Sequence, residues 1–94
     1  MMIPENRIPI HPGKVLEKDF LIPLGITPER LADHLGMQVQ RIRYILLGLR
    51  DITPTAAWQF AQAFGTSPEF WMNLQVAHDL ARFKPEKQIA CLVK

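Results

Sequence analysis

The side chains of this sequence best suited to recognition chemistry lie close together: Gln38, Gln40, Arg41, Arg43, Tyr44 and Arg50. Glutamine can pair bidentately with adenine and arginine with guanine, and tyrosine and arginine also hold phosphate oxygens. Between residues 37 and 50 there are three arginines and no acid, whereas the whole chain carries 11 Lys and Arg against 9 Asp and Glu, a formal charge of +2. The remainder of the chain is therefore slightly acidic, and the entire basic surplus is local. Asp51 adjoins the stretch and offsets part of Arg50. A patch of this size is by itself an ordinary solvated helix face, so its meaning depends on the elements that position it.

Those elements are punctuated by proline and glycine. The eight prolines leave long uninterrupted stretches where helices can run. Thr27-Pro28, Thr53-Pro54 and Ser67-Pro68 each read as an N-cap hydroxyl followed by proline at the first helical position, where its missing N–H costs nothing. Gly36, Gly48 and Gly65 stand where helices would end. The pattern predicts an all-α chain, a compact five-helix bundle with helices at about 13–22, 28–35, 38–47, 54–64 and 68–81. An extended N-terminal arm covers 1–12, the helical domain 13–83, and a tail 84–94. A short edge strand is compatible with Ile3–Ile10, because edges tolerate proline. Each helix has an apolar stripe at helical spacing, ending with Phe70, Leu74, Ala77 and Ala81 on the last.

The two short helices at about 28–47 read as a helix-turn-helix. A steep crossing needs a small residue on the first helix, supplied by Ala32, and a turn residue that tolerates positive φ, supplied by Gly36. Buried contacts are expected from Leu31, Leu35, Met37, Ile42 and Ile45, all apolar in this chain. On a helical wheel, Ile42, Ile45 and Leu46 share one side of the second helix. Gln40, Arg43, Tyr44 and Leu47 share the other, with Arg41 flanking them. Gln38 lies at the helix N-terminus, the end that approaches base edges in major-groove docking. The outward set expected to contact DNA is thus Gln38, Gln40, Arg41, Arg43, Tyr44 and Arg50.

Other chemistries find little support. His11, His34 and His78 are far apart, and no His, Cys, Asp or Glu group has metal-ligand spacing. Neither metal nor cofactor is expected. Glu29 and Asp33 share a helix face but read as solvated, no nucleophile elbow or phosphate-cradling loop occurs, and an enzyme with a small-molecule substrate is not expected. The single Cys91 reads as a half-buried apolar residue in a reducing, cytoplasmic chain. No apolar run is long enough to span a bilayer. Trp58, Phe70, Trp71 and Met72 are a heavy aromatic and sulfur load for a small bundle. The last-helix stripe turns Phe70 and Leu74 inward and leaves Trp71, with Met72, outward, where Trp71 either packs on the preceding helix or serves an interface. Phe70, Trp71 and Leu74 are the candidate dimer interface, since a helix-turn-helix domain reads two half-sites as a dimer.

With these residues in view, the sequence resembles the HigA-type antitoxins, a branch of the Cro/repressor-like helix-turn-helix family. The resemblance covers about 10–81. It opens at His11-Pro12-Gly13-Lys14-Val15-Leu16 and continues through Leu31-Ala32-Asp33-His34-Leu35-Gly36 and Arg41-Ile42-Arg43-Tyr44-Ile45-Leu46-Leu47-Gly48-Leu49-Arg50. Its most specific block is Phe64-Gly65-Thr66-Ser67-Pro68-Glu69-Phe70-Trp71-Met72-Asn73-Leu74-Gln75. The resemblance implies a lambda-repressor-like DNA-binding domain in a homodimeric antitoxin. Such a protein binds a cognate RNA-cleaving toxin and represses its own operon at operator DNA. The chain departs from the family pattern at Val39, Leu47 and Leu49, where polar or basic residues are usual, and at Asp51, where glycine is usual. Two other readings fit the same residues: a stand-alone helix-turn-helix regulator, and a helical module whose Arg41/Arg43/Tyr44 face binds an acidic protein.

Overall fold

The computed structural model describes residues 9–93. Most of the expected arm, including nearly all of its candidate strand, lies outside the described residues; Pro9 and Ile10 are irregular. Five helical segments follow. The first, α1, is continuous from Pro12 to Leu24 but wound in three ways: α over Pro12–Val15, π over Leu16–Leu21, and α again over Ile22–Leu24. Proline at 23 supplies no N–H and crowds the carbonyl four residues back, and the wider π turn immediately before it accommodates both effects. The remaining helices are α2 (Pro28–Leu35), α3 (Val39–Leu46), α4 (Pro54–Phe64) and α5 (Pro68–Arg82). Their limits match the expected ones to within a residue or two, and no helix among the described residues is long and apolar enough to cross a membrane.

The caps are those the sequence announces. Thr27, Thr53 and Ser67 each accept a hydrogen bond from the backbone N–H three residues on, at Arg30, Ala56 and Phe70. At the end of α2, Gly36 has φ +68°. The N–H of Met37 reaches back to the Ala32 carbonyl and that of Gly36 to Asp33. This is a Schellman closure, and it turns the chain sharply into α3.

The core lies where α1, α3 and α4 meet α5. Leu16, Ile42, Ile45, Ala56, Ala57 and Phe60 are fully enclosed, and Leu31 and Ala32 bring α2 in from the side. Trp71 is 0 % exposed and is the largest fully buried side chain. Its ring stands 5.3 Å from both Phe20 and Phe60 and 5.1 Å from Phe70, centroid to centroid, and its Nε1–H donates to Thr66 Oγ1 at 2.8 Å. Enclosing apolar side chains of this size contributes about 1.5–3 kcal/mol each.

This arrangement corrects the reading of α5. Trp71 points inward, not outward, and cannot belong to an external dimer surface. The inward face runs through Trp71 and Gln75, with His78 and Asp79 half-buried, while Phe70 is exposed, Leu74 half-buried and Ala77 exposed. The true stripe sits one residue along from the expected one and contains polar groups, each provided with a partner. Gln75 accepts from the Ile52 N–H at 2.7 Å and donates to Asp51 at 3.2 Å and Asp79 at 3.0 Å. Trp58 is the tryptophan that reaches the surface, 58 % exposed. Cys91 is exposed rather than half-buried, its thiol donating to the Val93 carbonyl.

Candidate nucleic-acid interface

The second helix of the helix-turn-helix is short, and its two sides differ sharply. Ile42, Ile45 and Leu46 are buried, while Gln40, Arg43 and Leu47 on the far side are exposed and Tyr44 is half-buried. Its seating depends on the preceding turn. Ala32 lets α2 approach closely, and Leu35, Met37 and Val39 pack partly buried against the core. Gln38 is the N-cap, with extended φ and ψ and no capping bond from its side chain, so its amide is free to reach outward. Of the seven expected packing positions, Leu31, Ala32, Ile42 and Ile45 are buried, Leu35 and Met37 are half-buried, and Gly36 is exposed at the turn.

The arginines are not equivalent. Arg43 Nη2 donates to Glu29 Oε2 at 2.8 Å, a pair in which both side chains remain half exposed. An ion pair so exposed is worth only about 0–1 kcal/mol and opens readily to a stronger anion. Arg41 turns away from the outer face toward α4 and donates from Nη2 to Thr53 Oγ1 at 3.0 Å. Thr53 already caps α4, so Arg41 is tied to the start of that helix. Arg50 is exposed beyond the helix, its guanidinium 5.8 Å from the centroid of Tyr44, close enough for a cation–π contact. The N–H groups of Leu49 and Arg50 both bond to the Tyr44 carbonyl, and Gly48, at φ +75°, lets the chain double back to do so.

Gln38, Gln40 and Arg43 therefore share an open surface, with Tyr44 and Arg50 at one edge and Arg41 set back. Leu47, 62 % exposed, puts an apolar group on the same side, and Leu49, beyond the helix, is 70 % exposed. Two contributors escape sequence reasoning. Glu29 competes for Arg43, a relation its first-turn position in α2 does not reveal, and Thr53 holds Arg41 across twelve residues.

A family model described as helix-turn-helix matches residues 18–71. The chain belongs to the Cro/C1-type helix-turn-helix family, and within it to the HigA antitoxins. The HigA assignment rests on solved structures. One described as an addiction module antidote protein of a HigA family, from Coxiella burnetii, is 41% identical, with a TM-score of 0.76 over 81% of this chain and 83% of that one. The antitoxin HigA of Pseudomonas aeruginosa, solved with the higBA promoter, is 38% identical with a TM-score of 0.77, covering 79% of this chain and 80% of that one. Among sequences, virulence-associated protein I of Dichelobacter nodosus is 36% identical, over 94% of this chain and 84% of that protein. The HigA family is one of DNA-binding antitoxins and regulators, not of enzymes.

Proposed function

We propose that this chain is a cytoplasmic antitoxin that binds operator DNA through its helix-turn-helix, represses its own operon and neutralises a cognate RNA-cleaving toxin. The observation that carries the DNA-binding part is the division of α3 into a buried apolar side and an open side bearing Gln38, Gln40 and Arg43. That open side stands in a stretch with three arginines and no acid. In this reading Gln38, Gln40, Arg43 and Tyr44 meet base edges, with Arg43 exchanging Glu29 for DNA, and Arg50 meets phosphate. Arg41 reaches phosphate only by releasing Thr53. The solved relative bound to its promoter supports the reading.

The chain acts as a homodimer, because one α3 addresses one half-site. Trp71 is inside, so the α5 contribution to such an interface reduces to Phe70 and Leu74. Sedimentation at micromolar concentration tests this: a dimer weakened by Leu74→Glu is expected, and a wild-type monomer would remove the interface. For the toxin, tagged chain expressed from its native operon should copurify with the product of a neighbouring small reading frame. Recovery of the chain alone, still bound to operator DNA, would leave it a regulator without a toxin partner.

A further inference from the structure

The strongest unexplained feature of the molecule is a histidine buried at the root of the DNA-facing loop. His11 is 5 % exposed. Its Nδ1 accepts the Gly13 N–H at 2.9 Å, capping α1, so in the neutral ring the proton resides on Nε2. That Nε2–H is buried without a hydrogen-bond partner among the described residues, 3.9 Å from Asp51 Oδ1. A buried polar group left unsatisfied calls for an explanation.

The surroundings supply one. A Cβ on Gly13 would overlap the Ile45 carbonyl, so α1 lies with its backbone directly on the end of α3. The His11 ring lies against Gly48, where an added Cβ would come within 3.7 Å of it. Asp51 is held by Gln75, which also fixes the Ile52 N–H, and the His78 ring meets His11 edge-on at 5.0 Å while its Nδ1 bonds the Pro9 carbonyl at 2.7 Å. Gly48 and Asp51 bracket the loop that carries Arg50.

We propose that His11 is a positioning residue for DNA reading: its neutral ring seats the Gly48–Asp51 loop and thereby Arg50, and protonation of the ring unseats that loop. This rests on the DNA-binding reading above. A second proton must go on Nδ1, where it faces the Gly13 N–H donor and abolishes the cap. The resulting cation draws Asp51 inward and away from Gln75. The titratable and charged groups facing His11 are Asp51 from the loop and His78, Asp79 and Arg82 from α5. Burial, His78 and Arg82 disfavour the cation, and the two aspartates favour it.

The test follows backbone amide resonances of residues 48–52, together with the His11 ring, from about pH 8 to about pH 5.5, alongside operator affinity at constant ionic strength. His11→Asn is the matched variant, since its side-chain oxygen can still cap Gly13 without titrating. In the wild type the loop amides should move with the midpoint of the His11 ring, and operator affinity should fall as the pH drops through that same midpoint, by about fivefold once the ring is protonated, the loss of one phosphate contact. In His11→Asn both pH responses should vanish, and affinity at about pH 8 should already be lowered toward the acid value of the wild type, because the ring that seats the loop is gone. Loop amides that ignore the His11 midpoint, or a pH profile unchanged in His11→Asn, would overturn the proposal. If His11→Asn does not fold, the wild-type amide titration still decides it. If the wild type binds no operator at any pH, the DNA-binding reading fails, and the amides still report whether His11 seats the loop.

Discussion

At the scale of the residue, Gln40 and Arg50 should fail differently. Gln40 sits mid-face on α3, so Gln40→Ala should cost about 1–3 kcal/mol on operator DNA and almost nothing on random DNA. Arg50 lies beyond the helix over the Tyr44 ring, so Arg50→Ala should weaken both equally and flatten the salt dependence by about one unit. Equal losses on both DNAs from Gln40→Ala would remove it from the base-reading set. His11 makes a separate prediction about stability. Burial holds its pKa below the ordinary 6.5, so the folded state prefers the neutral ring. That stabilisation is complete above about pH 6.5 and is lost as pH falls below it. Melting temperature should therefore drop on acidification through this window, and drop less in His11→Asn. Parallel curves would contradict the assignment.

At the scale of the element, the helices were legible because their signals are local: a hydroxyl-proline start, a glycine stop and a 3.6-residue period each act within one turn of chain. Gly36 tests this directly. An added Cβ there would touch nothing within 4 Å, so Gly36→Ala should cost only the backbone penalty of its φ of +68°. That is about 1–2 kcal/mol, a fall of roughly 4–16 °C in Tm. A Tm within a degree or so of wild type would show the turn to be unstrained by alanine. The orientation of α5 was not legible. The stripes through Phe70 and Trp71 differ by one residue, and counting apolar side chains favours the former, because the latter includes Gln75 and His78. What decides the matter lies outside the helix: the Ile52 N–H, distant in the chain, whose hydrogen bond Gln75 accepts, and the Thr66 hydroxyl, in the turn before α5, that takes the indole N–H. Trp71→Ala should thus cost about 3–5 kcal/mol, and Trp58→Ala no more than about 0.5 kcal/mol. Iodide should quench the fluorescence of a Trp71→Phe protein, whose remaining indole is exposed, and spare that of Trp58→Phe. The reverse pattern would restore the outward Trp71.

At the scale of the whole molecule, a net charge of +2 is too small to hold DNA by bulk attraction. The surplus is concentrated on the α3 stretch, and two of its three arginines already have partners there, Glu29 and Thr53. These partners were invisible in a count of charges, which sees neither the crossing of α2 over α3 nor the approach of α4. Affinity must then come from a few specific contacts doubled by a dimer. The most direct test is a titration of the chain against its own promoter fragment and a scrambled fragment of equal length, from about 50 to about 200 mM salt. The promoter should bind at least about a thousandfold more tightly, with affinity on both fragments falling as salt rises. Equal affinity for the two fragments, or no binding at the lowest salt, would contradict the assignment of α3 as a DNA-reading helix.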